Sequence, residues 1–368
     1  MNIDIGIIGL AKSGKSTIFS ALTRGKADTG SYTPERSTPH VGITKIPEPR
    51  LKTLADMLHP KKIVPVEARY LDVGASVKGL AQDKGIGGEL LNQLSNVDAL
   101  IDVVRAFTDE SIPHPEGSLD VERDIAAMNL ELAFSDLAII ERRLEKIETS
   151  LKGAKPPERQ GFLQEQETLA KFKAELEKDV PVRELKPTTG ETRIMANYQF
   201  LTAKPLLIAV NIGEEQIPQS ASIEAEMKSR YSPEKCRLIT LCGKLEMELS
   251  QLDDSATQEF RADFGIKESG PDRTIKLSYE LLGLVSFFTT ASNEVKAWSV
   301  KNGTSALKAA GKIHSDMERG FIRAEVISCE DLVKCGSIAE ARRKGLLRLE
   351  GKDYIVQDGD VITFLFNV

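Results

Sequence analysis

Several kinds of segment are missing from this chain. No apolar run among its 368 residues is long enough to cross a bilayer, and the start does not show the basic-then-apolar pattern of a signal peptide. A cytoplasmic location without membrane contact is therefore expected. Cysteine is sparse, with Cys236, Cys242, Cys329 and Cys335 making four. Their spacing fits neither a CxxC pair nor a zinc site, and they read as reduced core thiols. The four histidines are scattered and lack metal-ligand spacing. The net charge of -6 argues against a generally basic nucleic-acid coat and leaves only a local basic patch to consider. There is no basic stripe interleaved with aromatics, so the residues give no support to autonomous RNA reading.

What is present begins near the start. The apolar stretch "DIGIIGL" reads as a strand, and "GLAKSGKST" follows it. This is the G-x-x-x-x-G-K-[ST] pattern, with Gly9, Gly14, Lys15 and Ser16 at its fixed positions. Glycines let backbone N–H groups curl around a β-phosphate. A lysine brings charge to the β/γ oxygens, and a serine hydroxyl serves Mg²⁺. Lys12, Ser13 and Thr17 complete the phosphate-binding set. The rival reading is a chance glycine turn, but a strand before and the amphipathic "TIFSALTR" after speak against it. A P-loop site needs a second acid at a strand end. "VEARYLD" supplies Asp72, expected to hold Mg²⁺ with Ser16.

A later strand, "KPLLIAVN", ends in Asn211 at the place where parallel sheets meet ligands, with Ile212 and Glu214 after it. The GTPase class has Asn-Lys-x-Asp here, and its Asp carboxylate pairs with guanine. Ile212 replaces that Lys, and Glu214 is one methylene longer than the Asp. ATP is therefore expected to bind at least as well as GTP, with Asn211 at the purine edge and Ile212 over the ring. "LITLCGKLE" ends another strand in Cys242 and Gly243, which are expected to back the base.

The expected fold is α/β, a P-loop domain with a mostly parallel sheet. It spans residues 1–120 and 199–283. Apolar residues at helical spacing, broken by "KPPE", mark an inserted helical hairpin over 121–198. Residues 284–368 form a third domain. Its "EARRKG" places Arg342, Arg343 and Lys344 in a local basic cluster.

These pieces, in this order, resemble the Obg-like ATPase family, also called YchF. The resemblance runs over nearly the whole chain. "PEPRL", "VKGLAQDKGIGGELL", "EVKAWSVKNGT", "AAGKIHSDMERGFIRAEVIS" and "LRLEGKDYIVQDGDVITFLFNV" carry it, the last three looking like the family's C-terminal β-grasp TGS domain. It implies an ATP-preferring, Mg²⁺-dependent hydrolase and a monomer. It also implies ribosome or RNA contact through the TGS domain and the helical groove. His114, in "DESIPHPEG", falls on the family's loop histidine, expected to serve with Lys15 in catalysis.

The departures lie in the switches. In "SYTPERSTPHVG" the Mg²⁺-binding Thr falls on Arg36, with Thr33, Ser37 and Thr38 nearby, and the reactive Cys of some members falls on Glu35. In "DVGAS" the γ-phosphate Gly becomes Ala75, and the residue replacing the water-positioning Gln becomes Ser76. Nucleotide binding is expected to survive and hydrolysis to be slow. The alternatives are a scaffold with negligible hydrolysis and a GTP-binding protein.

Overall fold

The structure is a computed structural model. It describes residues 3–24, 40–72, 88–230, 236–266, 268–291 and 293–367. Two compact units emerge: Asp4–Ile43 with Arg69–Thr274, and Met1–Ile3 with Thr44–Ala68 and Ile275–Val368.

The first unit is built on a six-stranded sheet of β1 (Ile3–Ile8), β2 (His40–Lys45), β4 (Glu67–Asp72), β5 (Ala99–Arg105), β6 (Leu206–Asn211) and β7 (Cys236–Leu241), in the order β2-β4-β1-β5-β6-β7. The run β1-β5-β6-β7 is parallel. Strands β5 and β6 are buried along their whole length, as expected where helices cover both faces of a parallel sheet. In register, Arg105 faces Asn211 and Asn211 faces Leu241. The C-terminal ends of these strands therefore form one rim, and the ligand-facing loops leave from it.

The inserted hairpin pairs the helix Val121–Leu151 with the helix Pro156–Leu176. Asp120 caps the first by accepting from Arg123 N, and Glu122 and Asp124 in the first turn suit the helix dipole. Ile140, Ile147, Leu169, Phe172 and Phe200 form the core between the helices. Buried Asp136 fastens this region to the turn before β6. It accepts from Leu201 N (2.9 Å), Thr202 N (2.8 Å) and the Thr202 hydroxyl (2.6 Å).

The second unit has a sheet of β3 (Lys62–Val64), β8 (Leu284–Ala291), β9 (Glu294–Lys301), β10 (Phe321–Ser328), β11 (Arg348–Glu350) and β12 (Asp360–Phe366), in the order β11-β10-β12-β8-β9-β3. Strands β8 and β9 form a hairpin, β12 runs parallel to β8, and the helix Ala306–Ile313 packs on one face through Ala306, Ala309 and Ala310. This is a β-grasp arrangement. The opposite face is covered from far upstream. Leu51 and Leu54 of the helix Pro49–Leu58 pack with Phe288, Val295 and Val361, and β3 adds to β9 in parallel. Arg50 locks the segment with bonds to Glu48 and Asp358 while lying over the Phe288 ring. The sequence division assigned residues 44–68 to the nucleotide domain. They cluster instead with the C-terminal unit, because their apolar side chains and strand complete its sheet.

Candidate functional site

The phosphate loop follows β1. Gly9 (φ 148°), Lys12 (φ 61°) and Gly14 (φ 92°) hold positive φ, which turns successive N–H groups toward one concavity suited to an anion. Side chains are excluded at both glycines. A Cβ on Gly9 would lie 2.4 Å from the Val103 carbonyl, and one on Gly14 would lie 2.2 Å from the Asn211 amide nitrogen. The helix Lys15–Thr23 begins directly behind, aiming its positive end at the loop.

Lys15 is buried, and its ammonium donates to the carbonyls of Gly9 (3.0 Å) and Leu10 (2.9 Å). Burial lowers its pKa, partly opposed by the charges of Asp72 and Asp102. The Ser16 hydroxyl donates to Asp72 Oδ2 at 2.8 Å, and Asp72 Oδ1 is buried without a partner. A hydroxyl and a carboxylate with an idle oxygen form a donor set that fits a hard cation such as Mg²⁺. Sequence spacing of 56 residues is thus closed to one hydrogen bond. Lys12 is exposed, Thr17 half-buried, and the Ser13 hydroxyl is buried without a partner.

The base end differs from expectation. Asn211 is buried, and both ends of its amide serve the protein. Nδ2 donates to the Ser13 carbonyl (3.0 Å), and Oδ1 accepts from Gly243 N (2.9 Å). It ties the phosphate loop to the loop after β7. Ile212 is a core residue packed with Ile217, Cys242 and Leu245, so it does not cover a purine ring. Glu214 is half exposed and paired with Lys244 at 3.0 Å. Cys242 precedes the helix Gly243–Leu249, and burial pushes its thiol pKa up.

His114 also departs from the reading of a mobile loop residue. Its side chain is buried. Nε2 stands 2.9 Å from Asp124 Oδ2, and Nδ1 accepts from Glu116 N at 3.1 Å. Neither ring nitrogen is free for a water in this arrangement. Arg36, Thr33, Glu35, Ser37, Thr38, Ala75 and Ser76 lie outside the described residues.

Two groups were missed by sequence reasoning. Asp102 and Arg105 interrupt the apolar run "ALIDVVR" of β5 and are buried beside Ser13, His114 and Asp124. A charged residue inside a buried parallel strand was the available signal. Burial raises Asp102 to about 8, with Lys15 and Arg183 opposing and Asp124 adding to the rise. In the other unit the basic cluster is neutralised. Arg342 pairs with Glu325, and Arg343 and Lys344 both pair with Glu340. This leaves no free basic patch at that helix end. Among the described residues no helix is long and apolar enough to cross a membrane.

Fold and loop together define a P-loop nucleotide-binding protein. Comparison with known proteins narrows this. A curated relative from Bacillus subtilis, named "Ribosome-binding ATPase YchF", is 40% identical over 100% of both chains. One of the same name from Haemophilus influenzae is 36% identical over 100% of both. A solved structure, "Structure of the Schizosaccharomyces pombe YchF GTPase", aligns with a TM-score of 0.83 at 28% identity, covering 99% of this chain and 98% of that one. The family model YchF-GTPase_C, described as a protein of unknown function (DUF933), matches residues 284–367. The chain belongs to the YchF family.

Proposed function

We propose that this chain is a Mg²⁺-dependent nucleotide hydrolase that favours ATP over GTP, turns it over slowly and works on the ribosome in the cytoplasm as a monomer. The observation that carries the catalytic half is the Lys15, Ser16 and Asp72 constellation at the mouth of the glycine loop. Lys15 and the loop N–H groups hold the phosphates. Ser16 and Asp72 hold the metal, which when bound neutralises charge on the β/γ oxygens. The low-polarity position of Lys15 strengthens its attraction for phosphate, since little water competes for it.

The preference for ATP rests on Ile212 and Glu214, which do not reproduce the guanine-reading Lys and Asp. The ribosomal half rests on the names of the relatives, and the C-terminal unit and the helical hairpin are the surfaces we assign to that contact. A second reading, a scaffold with negligible hydrolysis, is favoured by one observation: both ring nitrogens of His114 are engaged. Single-turnover hydrolysis of ATP and GTP, with and without ribosomes, decides between them. Slow ATP turnover that ribosomes accelerate is the expected result. No turnover under any condition, with intact nucleotide binding, selects the scaffold.

A further inference from the structure

The base end holds a pair whose chemistry the base motif does not account for. Asn211 spends its amide inside the protein and Ile212 is core, so within Asn211–Glu214 the acid is the side chain that presents a polar end to solvent. Glu214 Oε1 lies 3.0 Å from Lys244 Nζ, with the two side chains 44% and 69% exposed. Lys244 is the second residue of the helix Gly243–Leu249. The first, Gly243, is fixed by its N–H bond to Asn211, the same residue that grips the phosphate loop through the Ser13 carbonyl. Lys244 and Glu214 therefore flank the end of the sheet that carries the phosphate site. Glu248, one turn along the same helix, also acts on the ammonium, but Glu214 is its hydrogen-bond partner.

We propose that Lys244 is a specificity-determining residue that reads the purine together with Glu214; this rests on the nucleotide site of the proposed function. A carboxylate only accepts hydrogen bonds and an ammonium only donates them. Adenine offers a donor at its 6-amine and an acceptor at N1. Guanine offers an acceptor at O6 and a donor at N1. With Glu214 facing the 6-position and Lys244 facing N1, the pair matches adenine twice and opposes guanine twice. The GTPase motif carries its lysine at the second position, where this chain has buried Ile212. Here the facing loop, after a different strand, brings a lysine to the motif's acid. An exposed pair of this kind adds little to folding, because water and salt screen it. Its position at the rim of the site is what gives it a use.

The test is calorimetric titration of ATP, GTP and ITP, with Mg²⁺, against wild type, Lys244→Ala, Lys244→Arg, Glu214→Ala and the swapped variant E214K/K244E. The ratio of ATP to GTP affinity is the readout, since loss of a positive charge near the phosphates weakens every nucleotide alike. Lys244→Ala is expected to lower that ratio about ten-fold, and Lys244→Arg to keep it. The swapped pair is expected to favour GTP and ITP over ATP. ITP lacks the guanine 2-amine, so its grouping with GTP places the discrimination at the 6-position and N1. If Glu214→Ala shifts the ratio and Lys244→Ala does not, the role of Lys244 is overturned while the base site stands. If neither shifts it, the base is read elsewhere and that part of the proposed function falls as well. Thermal melting of each variant separates these outcomes from misfolding.

Discussion

The phosphate end and the base end of this site are assembled differently. The phosphate end is one contiguous loop, Gly9 to Ser16, plus one acid 56 residues away. Its functional groups are largely backbone N–H groups, whose direction follows from local φ. The base end is a junction of three separate segments, the phosphate loop, the end of β6 and the start of the helix after β7. They are held by a single buried amide bonding across 198 and 32 residues. A local motif can keep its function while the surrounding fold changes. A junction cannot, because every partner of Asn211 must stay in place.

The comparison can be broken most severely at Ile212. Rebuilding the GTPase motif with Ile212→Lys would bury an ammonium among apolar side chains, and a stability loss of about 3–5 kcal/mol is expected in urea unfolding. A soluble, stable variant would show that position to be open to solvent after all. Next is Lys15→Ala. The lost charge-assisted bonds are expected to weaken ATP binding about 100-fold or more. The melting temperature should hold or rise, because the wild-type ammonium is buried at a cost. Calorimetry with thermal melting checks both parts. Asn211→Ala leaves the Ser13 carbonyl and Gly243 N–H buried without their partner, a loss of about 2–4 kcal/mol. Asn211→Asp keeps the acceptor for Gly243 but sets an oxygen against the Ser13 carbonyl. Denaturation midpoints are expected in the order wild type, Asp, Ala if the Gly243 bond dominates.

The smallest effect is a slope. Asp102 has a folded pKa of about 8 against an ordinary value of 3.8. A raised pKa means that the folded state holds the proton more tightly. The associated stability is complete below the ordinary value and is lost as pH rises through about 8. Unfolding free energy of the wild type should therefore decline between these limits, and Asp102→Asn should decline less. Parallel curves for the two proteins would show that Asp102 is not responsible.

The contrast also explains what the amino-acid order revealed. The phosphate set, the strand before it and Asp72 were legible, because their chemistry is local or sits at the end of a recognisable strand. The parallel sheet and the helical hairpin were legible from apolar periodicity. The inward turn of Asn211 was not, since its partners are backbone atoms on two other loops. His114 looked like a loop residue between Pro113 and Pro115. Its burial depends on Asp124 at the start of the next helix, a contact no spacing rule encodes. The placement of residues 44–68 was hidden for the same reason. Nothing within "PEPRL" shows that Arg50 will bond to Asp358.

That last bond has a bearing on how the chain is made. Arg50 and Asp358 are 308 residues apart, and β3 and β9 pair across most of that separation. At ribosomal speeds of about 5–20 residues per second, the partners of this segment emerge on the order of 15–60 s after it does. Throughout that interval Leu51 and Leu54 have left the exit tunnel while the sheet that buries them has not been synthesised. The nucleotide-binding unit, interrupted by this segment, must close around a tethered loop whose ends remain unclaimed. The last strand to be made, β12, supplies Val361 to the core that receives those leucines. Assembly of the second unit is therefore timed by the end of translation.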